Sequence, residues 1–206
     1  PGTPYDIEES YPAFRKHYDR LMEIYHSEDL RSLCPDFPWE KAIYNLHINR
    51  CQTYLDLFFE NKPDILQDVL ESARHVYHHQ EQLAHFSNNT VEAHIIYLYN
   101  ISRWQAGLIS TTELADILFD LIGSGDPSDY SDNGITLNLQ LPLNLECVYL
   151  KMTGKERTQY GPKFAEISQR AYDYLRHAPR NEFSNVVTSA VGEGIRLRYQ
   201  LKQPVE

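Results

Sequence analysis

Apolar residues recur at three- and four-residue spacing through most of this 206-residue chain, and the recurrence is broken by prolines, glycines and Ser/Thr/Asn clusters. A chain patterned in this way buries its apolar surface by packing helix on helix. Pro12 is placed as a first-turn proline. Behind it, Phe14, Tyr18, Leu21, Met22 and Tyr25 mark a first helix that ends near Ser27, ahead of Cys34-Pro35. Pro38 opens a second, with Ile43, Tyr44, Ile48, Cys51, Tyr54, Leu55 and Phe58 on its apolar face. Lys62-Pro63-Asp64 stops it and starts a third, in which Ile65, Val69, Ala73, Val76 and Leu83 share one side.

The cluster Ser87-Asn88-Asn89-Thr90 reads as the turn and N-cap of a fourth helix over 91–106, with Gly107 as its C-cap. Ser110-Thr111-Thr112-Glu113 matches a capping box for a fifth helix, which ends at Gly123. The stretch 123–134, GSGDPSDYSDNG, is the one long loop, polar and acidic. Ile135 to Leu141 then alternates apolar and polar as a strand does. With no second strand to pair with it, it is expected to lead into a sixth helix from Pro142, an edge strand added to a partner being the alternative. Thr153-Gly154 ends that helix. A seventh starts at Lys155 or Pro162, turns Phe164, Ile167, Ala171, Tyr174 and Leu175 inward, and closes at His177 before Pro179. An eighth runs over 182–201, where Gly192 and Gly194 each weaken it by about 1 kcal/mol relative to alanine.

The expected fold is therefore all-α, one domain of about eight helices arranged as stacked antiparallel hairpins, because the connections are short. Hydrophobic residues at 42% and charged residues at 23% are the composition of a folded globular chain. A net charge of −10 disfavours nucleic acid and anionic membrane surfaces as partners. No apolar run reaches the roughly 20 residues of a bilayer span, so no membrane insertion is expected. The three cysteines, Cys34, Cys51 and Cys147, are far apart and odd in number. They form neither a disulfide framework nor a zinc ribbon and fit a reducing, cytoplasmic setting. The opening Pro1-Gly2-Thr3 reads as that of a piece of a longer protein.

Helices two and three, four and five, and six and seven make three hairpins, flanked by helices one and eight. The segment 145–179 resembles a tetratricopeptide repeat: Tyr149, Leu150 and Gly154 close its first helix, Tyr160 follows, Ala165 and Ala171 lie in the second helix and Pro179 ends it. It departs from the family in a later Tyr, a closer pair of Ala and the Gly161-Pro162 insertion. The resemblance implies a helical-repeat stack whose first helices line a concave groove. The alternative is an irregular helical array.

Chemistry is sparse. His75, His78 and His79 stand at i, i+3 and i+4 on the third helix, a spacing at which imidazoles can share a metal, with Glu71, His47, His85 or His94 as further ligands. The pattern HxxHH lacks the glutamate of HExxH, and a solvated helix face is the plainer reading. No nucleophile elbow, no cysteine-protease signature and no phosphate-binding loop is present. Asp126, Asp129 and Asp132 miss the EF-hand spacing. Asn88-Asn89-Thr90 and Asn100-Ile101-Ser102 match the glycosylation sequon by chance. No cofactor is expected.

Amides inside helices are the less ordinary feature, since asparagine is a poor helix former. Asn45, Asn49 and Gln52 form a stripe on helix two, Asn100 with Arg103 lies on helix four beside Tyr97, and Asn144 on helix six. These are the first helices of the three hairpins. The repeat resemblance implies that such amides bind a peptide main chain, with Arg103 meeting a carboxylate. The expected function is a non-catalytic protein-interaction or sensory module, the regulatory part of a signalling protein with a protein or peptide as partner. The alternative is a metal-binding helical-bundle enzyme built on His75, His78 and His79.

Overall fold

The computed structural model describes residues 7–55, 63–81 and 92–200, and every regular element among them is helical. In chain order these are α1 (Ile7–Tyr25), α2 (Glu28–Leu33), α3 (Trp39–Leu55), α4 (Pro63–His78), α5 (Glu92–Gln105), α6 (Thr111–Gly123) and α7 (Asp132–Ile135). A π-helical turn (Thr136–Gln140) follows, then α8 (Leu141–Lys151), α9 (Gly154–His177) and α10 (Phe183–Gln200). The all-α expectation holds. None of these helices is long and apolar enough to cross a membrane. The Ser87–Thr90 turn, His85, Leu83 and Phe58 lie outside the described residues.

Local signals set most of the boundaries. Ser110 Oγ accepts from Glu113 N at 3.2 Å while Glu113 Oε2 accepts from Ser110 N at 2.7 Å, the reciprocal box expected at the start of α6. Gly107 sits at φ 70°, where L side chains are strained. The bonds Gly107 N to Trp104 O and Leu108 N to Arg103 O, both 2.9 Å, close α5 as a Schellman motif. Three expectations need correction. Pro12 is interior to α1, because the helix begins at Ile7, and a proline there removes one backbone bond without ending the helix. The short α2 follows Ser27, whose side chain caps it. And α9 starts at Gly154, with Thr153 and Glu156 forming a second capping box and Pro162 inside the helix.

The alternating stretch 135–141 is neither a strand nor a lead-in. It is helical throughout, continuing from α7 through the π turn into α8. A period of two makes sense in a helix with a core on each side. Ile135 and Leu139, one turn apart, pack with Ala171, Tyr174 and Val186 in a small core shared with α9 and α10. Leu137 and Leu141, roughly opposite, join the main core with Leu114, Leu118, Leu145 and Val148. Asn138 between them is fully buried, and donates to Asp126 O at 2.8 Å and Gly134 O at 2.9 Å. Arg170 of α9 donates from Nε and Nη2 to Asn138 Oδ1 and from Nη2 to Gly125 O, which fastens the acidic loop to the helices beneath it. The loop is shorter than expected, since α7 already starts at Asp132. A Cβ at Gly134 would fall 2.0 Å from Asp129 O, so only glycine fits there.

Helices adjacent in sequence pack on one another: α3 on α4, α4 on α5, α5 on α6, α6 on α8 and α8 on α9. The first helices of the first two hairpins, α3 and α5, also meet directly. α1 lies against α3 at one end, and α10 covers α8, α9 and the π turn at the other.

Candidate functional site

Two groups of polar side chains stand out against this frame. The first is the set of amides on α3, α5 and α8. Asn49 is exposed and Asn45 half-buried; Gln52 lies in α3, its side chain outside the described residues. On α5, Asn100 is buried. Its Nδ2 donates to Ile96 O one turn earlier at 2.9 Å, and its Oδ1 accepts from Arg103 Nη1 at 2.9 Å. The Arg103 guanidinium stands 5.3 Å from the ring centre of Tyr99. Arg103 is thus held by an amide and a ring, and among the described residues no carboxylate lies within ion-pair distance of it. On α8, Asn144 is buried and its Oδ1 has no hydrogen-bond donor among the described residues. An amide oxygen so placed costs about 1–3 kcal/mol relative to a satisfied one. Tyr97, expected beside Asn100, belongs instead to the main core.

The second group lies where α1, α3 and α4 meet. His47 of α3 is 5% exposed, and its Nδ1 lies 2.9 Å from both the Tyr18 hydroxyl of α1 and Ser72 Oγ of α4. Ser72 Oγ also accepts from Arg50 Nε. His47 Nδ1, the Tyr18 hydroxyl, Ser72 and Arg50 thus form one hydrogen-bonded group closed off from solvent, in which the hydroxyl roles follow the imidazole tautomer. Arg50, 4% exposed, places its guanidinium 3.9 Å from the centre of the Tyr18 ring, with Glu71 Oε2 at 3.8 Å from Nη2. One helical turn away, Tyr11 donates to Asp68, which also faces Arg15 Nε at 3.2 Å.

His47 does not stand alone. Its ring stacks on that of His75, centroids 4.0 Å apart and planes inclined by 22°, and His75 stacks on His79 at 4.2 Å and 20°. Three imidazoles therefore run from the sealed interior to the exposed edge of α4. Burial pushes His47 down to about 3, helped by the neighbouring His75 and Arg50. Burial, with His79 beside it, also lowers His75. Cys51, one residue after Arg50, is pushed up to about 12 by burial and donates weakly to Val69 O, as a core thiol does.

The metal reading of His75, His78 and His79 fails on this geometry. His75 and His79 meet face to face, not through converging nitrogens. His78 turns away to lie against Tyr77 and Tyr99, with centroids at 5.4 and 6.1 Å. Among the described residues no group of three or more His, Cys, Asp or Glu side chains is placed to hold a metal ion. Glu71 is drawn to Arg50, and His94 packs beside Tyr97. Arg50, Ser72, Tyr18 and Tyr11 escape a motif search. Their signal is positional: His47 and Arg50 fall one turn apart on a helix whose other inward residues are apolar.

Comparison with family models, with curated proteins and with solved structures finds no match in any of the three.

Proposed function

We propose that the chain is a non-catalytic, helical-repeat-like interaction module, the regulatory part of a signalling protein, in which α3, α5 and α8 present a peptide-binding face. The Asn100–Arg103 pair carries this reading. In a chain of net charge −10, a guanidinium is held in place by Asn100 Oδ1 and the Tyr99 ring with no carboxylate at ion-pair distance among the described residues, Glu113 standing further off. That is the arrangement a carboxylate-bearing ligand needs, because the cation is ordered before the ligand arrives. The exposed Asn49 on α3, whose helix meets α5, supplies an amide for a peptide main chain.

The test is selection of a displayed random-peptide library on the full chain, with enriched peptides titrated against wild type, Arg103→Glu and Asn49→Ala. Enriched peptides should carry a carboxylate and lose at least tenfold in affinity on Arg103→Glu while the melting temperature stays put. A selection that yields no such peptide, or peptides that bind Arg103→Glu as well as wild type, overturns the proposal.

A further inference from the structure

The imidazole stack is placed where α1 meets the rest of the fold, and this has a consequence independent of any peptide-binding face. We propose that the α1 interface is a proton-operated latch: with His47 and His75 uncharged, α1 is seated on α3 and α4, and on mild acidification protons enter the imidazole stack from its exposed end and α1 is released.

The geometry supports each part. α3 and α4 bury one another extensively and α4 also packs on α5, whereas α1 rests mainly on α3 and touches α4 through Tyr11 and Arg15 at Asp68. Among the described residues α1 packs on α3 less extensively than α4 does. Departure of α1 uncovers His47, since the Tyr18 hydroxyl and ring close over His47 Nδ1 and Arg50. A second ring proton on His47 would make both of its ring nitrogens donors inside a sealed group. It would also place an imidazolium beside a buried guanidinium. Two charged rings stacked 4.0 Å apart, as His47 and His75 would be, repel as well.

The surrounding charges set the direction in which protons travel. From α1 the group faces Tyr18, with His26 just beyond the helix. From α3 it faces Arg50 and, toward the start, Glu40. From α4 it faces Ser72, His75 and His79, with Glu71 taken by Arg50 and Glu81 beyond the helix end. On the α5 side, Tyr99 meets His78 and not the stack. Glu40 and Glu81 favour a proton on His75, while nearby Arg50 opposes one on His47. A proton is thus favoured on His75 over His47, which takes one only when water reaches it. Each proton taken up on opening multiplies the opened fraction about tenfold per pH unit below the ordinary histidine range near 6.5.

Hydrogen exchange on the full chain at pH 7.5 and 5.0, corrected for intrinsic exchange, reads this directly. The stretch 95–176, which includes α6, α8 and nearly all of α9, contains no histidine, so those helices serve as internal reference. The expected result is a loss of protection in α1 of at least tenfold at the lower pH with the reference helices unchanged. His47→Gln, neutral at both pH values, should flatten the response. Unchanged α1 protection, parallel loss across α6, α8 and α9, or a full response in His47→Gln would each overturn the latch. Should His47→Gln fail to fold, histidine ring NMR on wild type decides. Proton uptake at His47 coincident with α1 exchange is expected, and uptake with α1 still protected overturns the proposal.

Discussion

The two ends of this molecule solve the same packing problem with different chemistry. Where α6, α8 and α9 meet, the interior is hydrocarbon and aromatic ring: Leu114, Leu118, Leu145 and Val148 are wholly buried, with Phe119 and Phe164 edge to face at 5.6 Å. Where α1, α3 and α4 meet, the interior holds an imidazole, a guanidinium, a carboxylate and three hydroxyls, each bonded to another. Eight of the nine histidines precede residue 95. A hydrocarbon core is indifferent to pH, while a core of titratable groups is stable only while each keeps one protonation state. The comparison predicts that stability is lost differently at the two ends.

The largest effect should come from the hydrocarbon end. Leu145→Ala leaves a cavity and should cost about 2–5 kcal/mol, by the same amount at pH 7.5 and 5.5, in urea unfolding. A cost that changes with pH would break the contrast. At the other end, Arg50→Met removes the bond to Ser72 and the stacking on Tyr18 and should cost about 2 kcal/mol at neutral pH. Adding Tyr18→Phe to it should be less than additive, because the two side chains touch. Next comes wild-type pH dependence. His47 and His75 are held neutral in the fold, below their unfolded range. Their contribution is therefore present above pH 6.5 and is lost as pH falls, His47's toward about 3 at about 1.4 kcal/mol per pH unit, with His75 acting in the same direction. Urea midpoints taken at half-unit steps measure that slope, and a flat profile between pH 6.5 and 5 would erase the distinction. The smallest effect, about 1 kcal/mol, is expected for Ser110→Ala or Thr153→Ala, which remove helix caps away from either interior. Thermal melts of the two variants should match each other.

How much of this was legible in the sequence differs between the ends in the same way. Helix starts announced by a proline or a capping residue, as at Pro38, Pro63 and Ser110, fall where the pattern places them, because caps are local chemistry. The six residues of α2 carry too little apolar periodicity to be read, and their place is fixed from outside by Arg31 bonding Tyr25 O and Glu40. Of the histidines, the pairing of His75 with His79 follows from helical spacing. His78 is a sixth of a turn off that face and goes to Tyr99. That His47 completes the stack depends on how α3 crosses α4, which no local pattern encodes. The amides divide likewise. Asn100 to Arg103 is an i, i+3 pair visible in one helix, while the burial of Tyr97 and of Asn144 is decided by neighbouring helices.

The rod formed by α7, the π turn and α8 behaves as a shaft keyed on two sides. Leu137 and Leu141 engage one set of teeth, Ile135 and Leu139 the other. Repacking along the rod is therefore felt on both faces: a change in girth at Ile135 or Leu139 falls on Val186 of α10, and one at Leu137 or Leu141 on the main core.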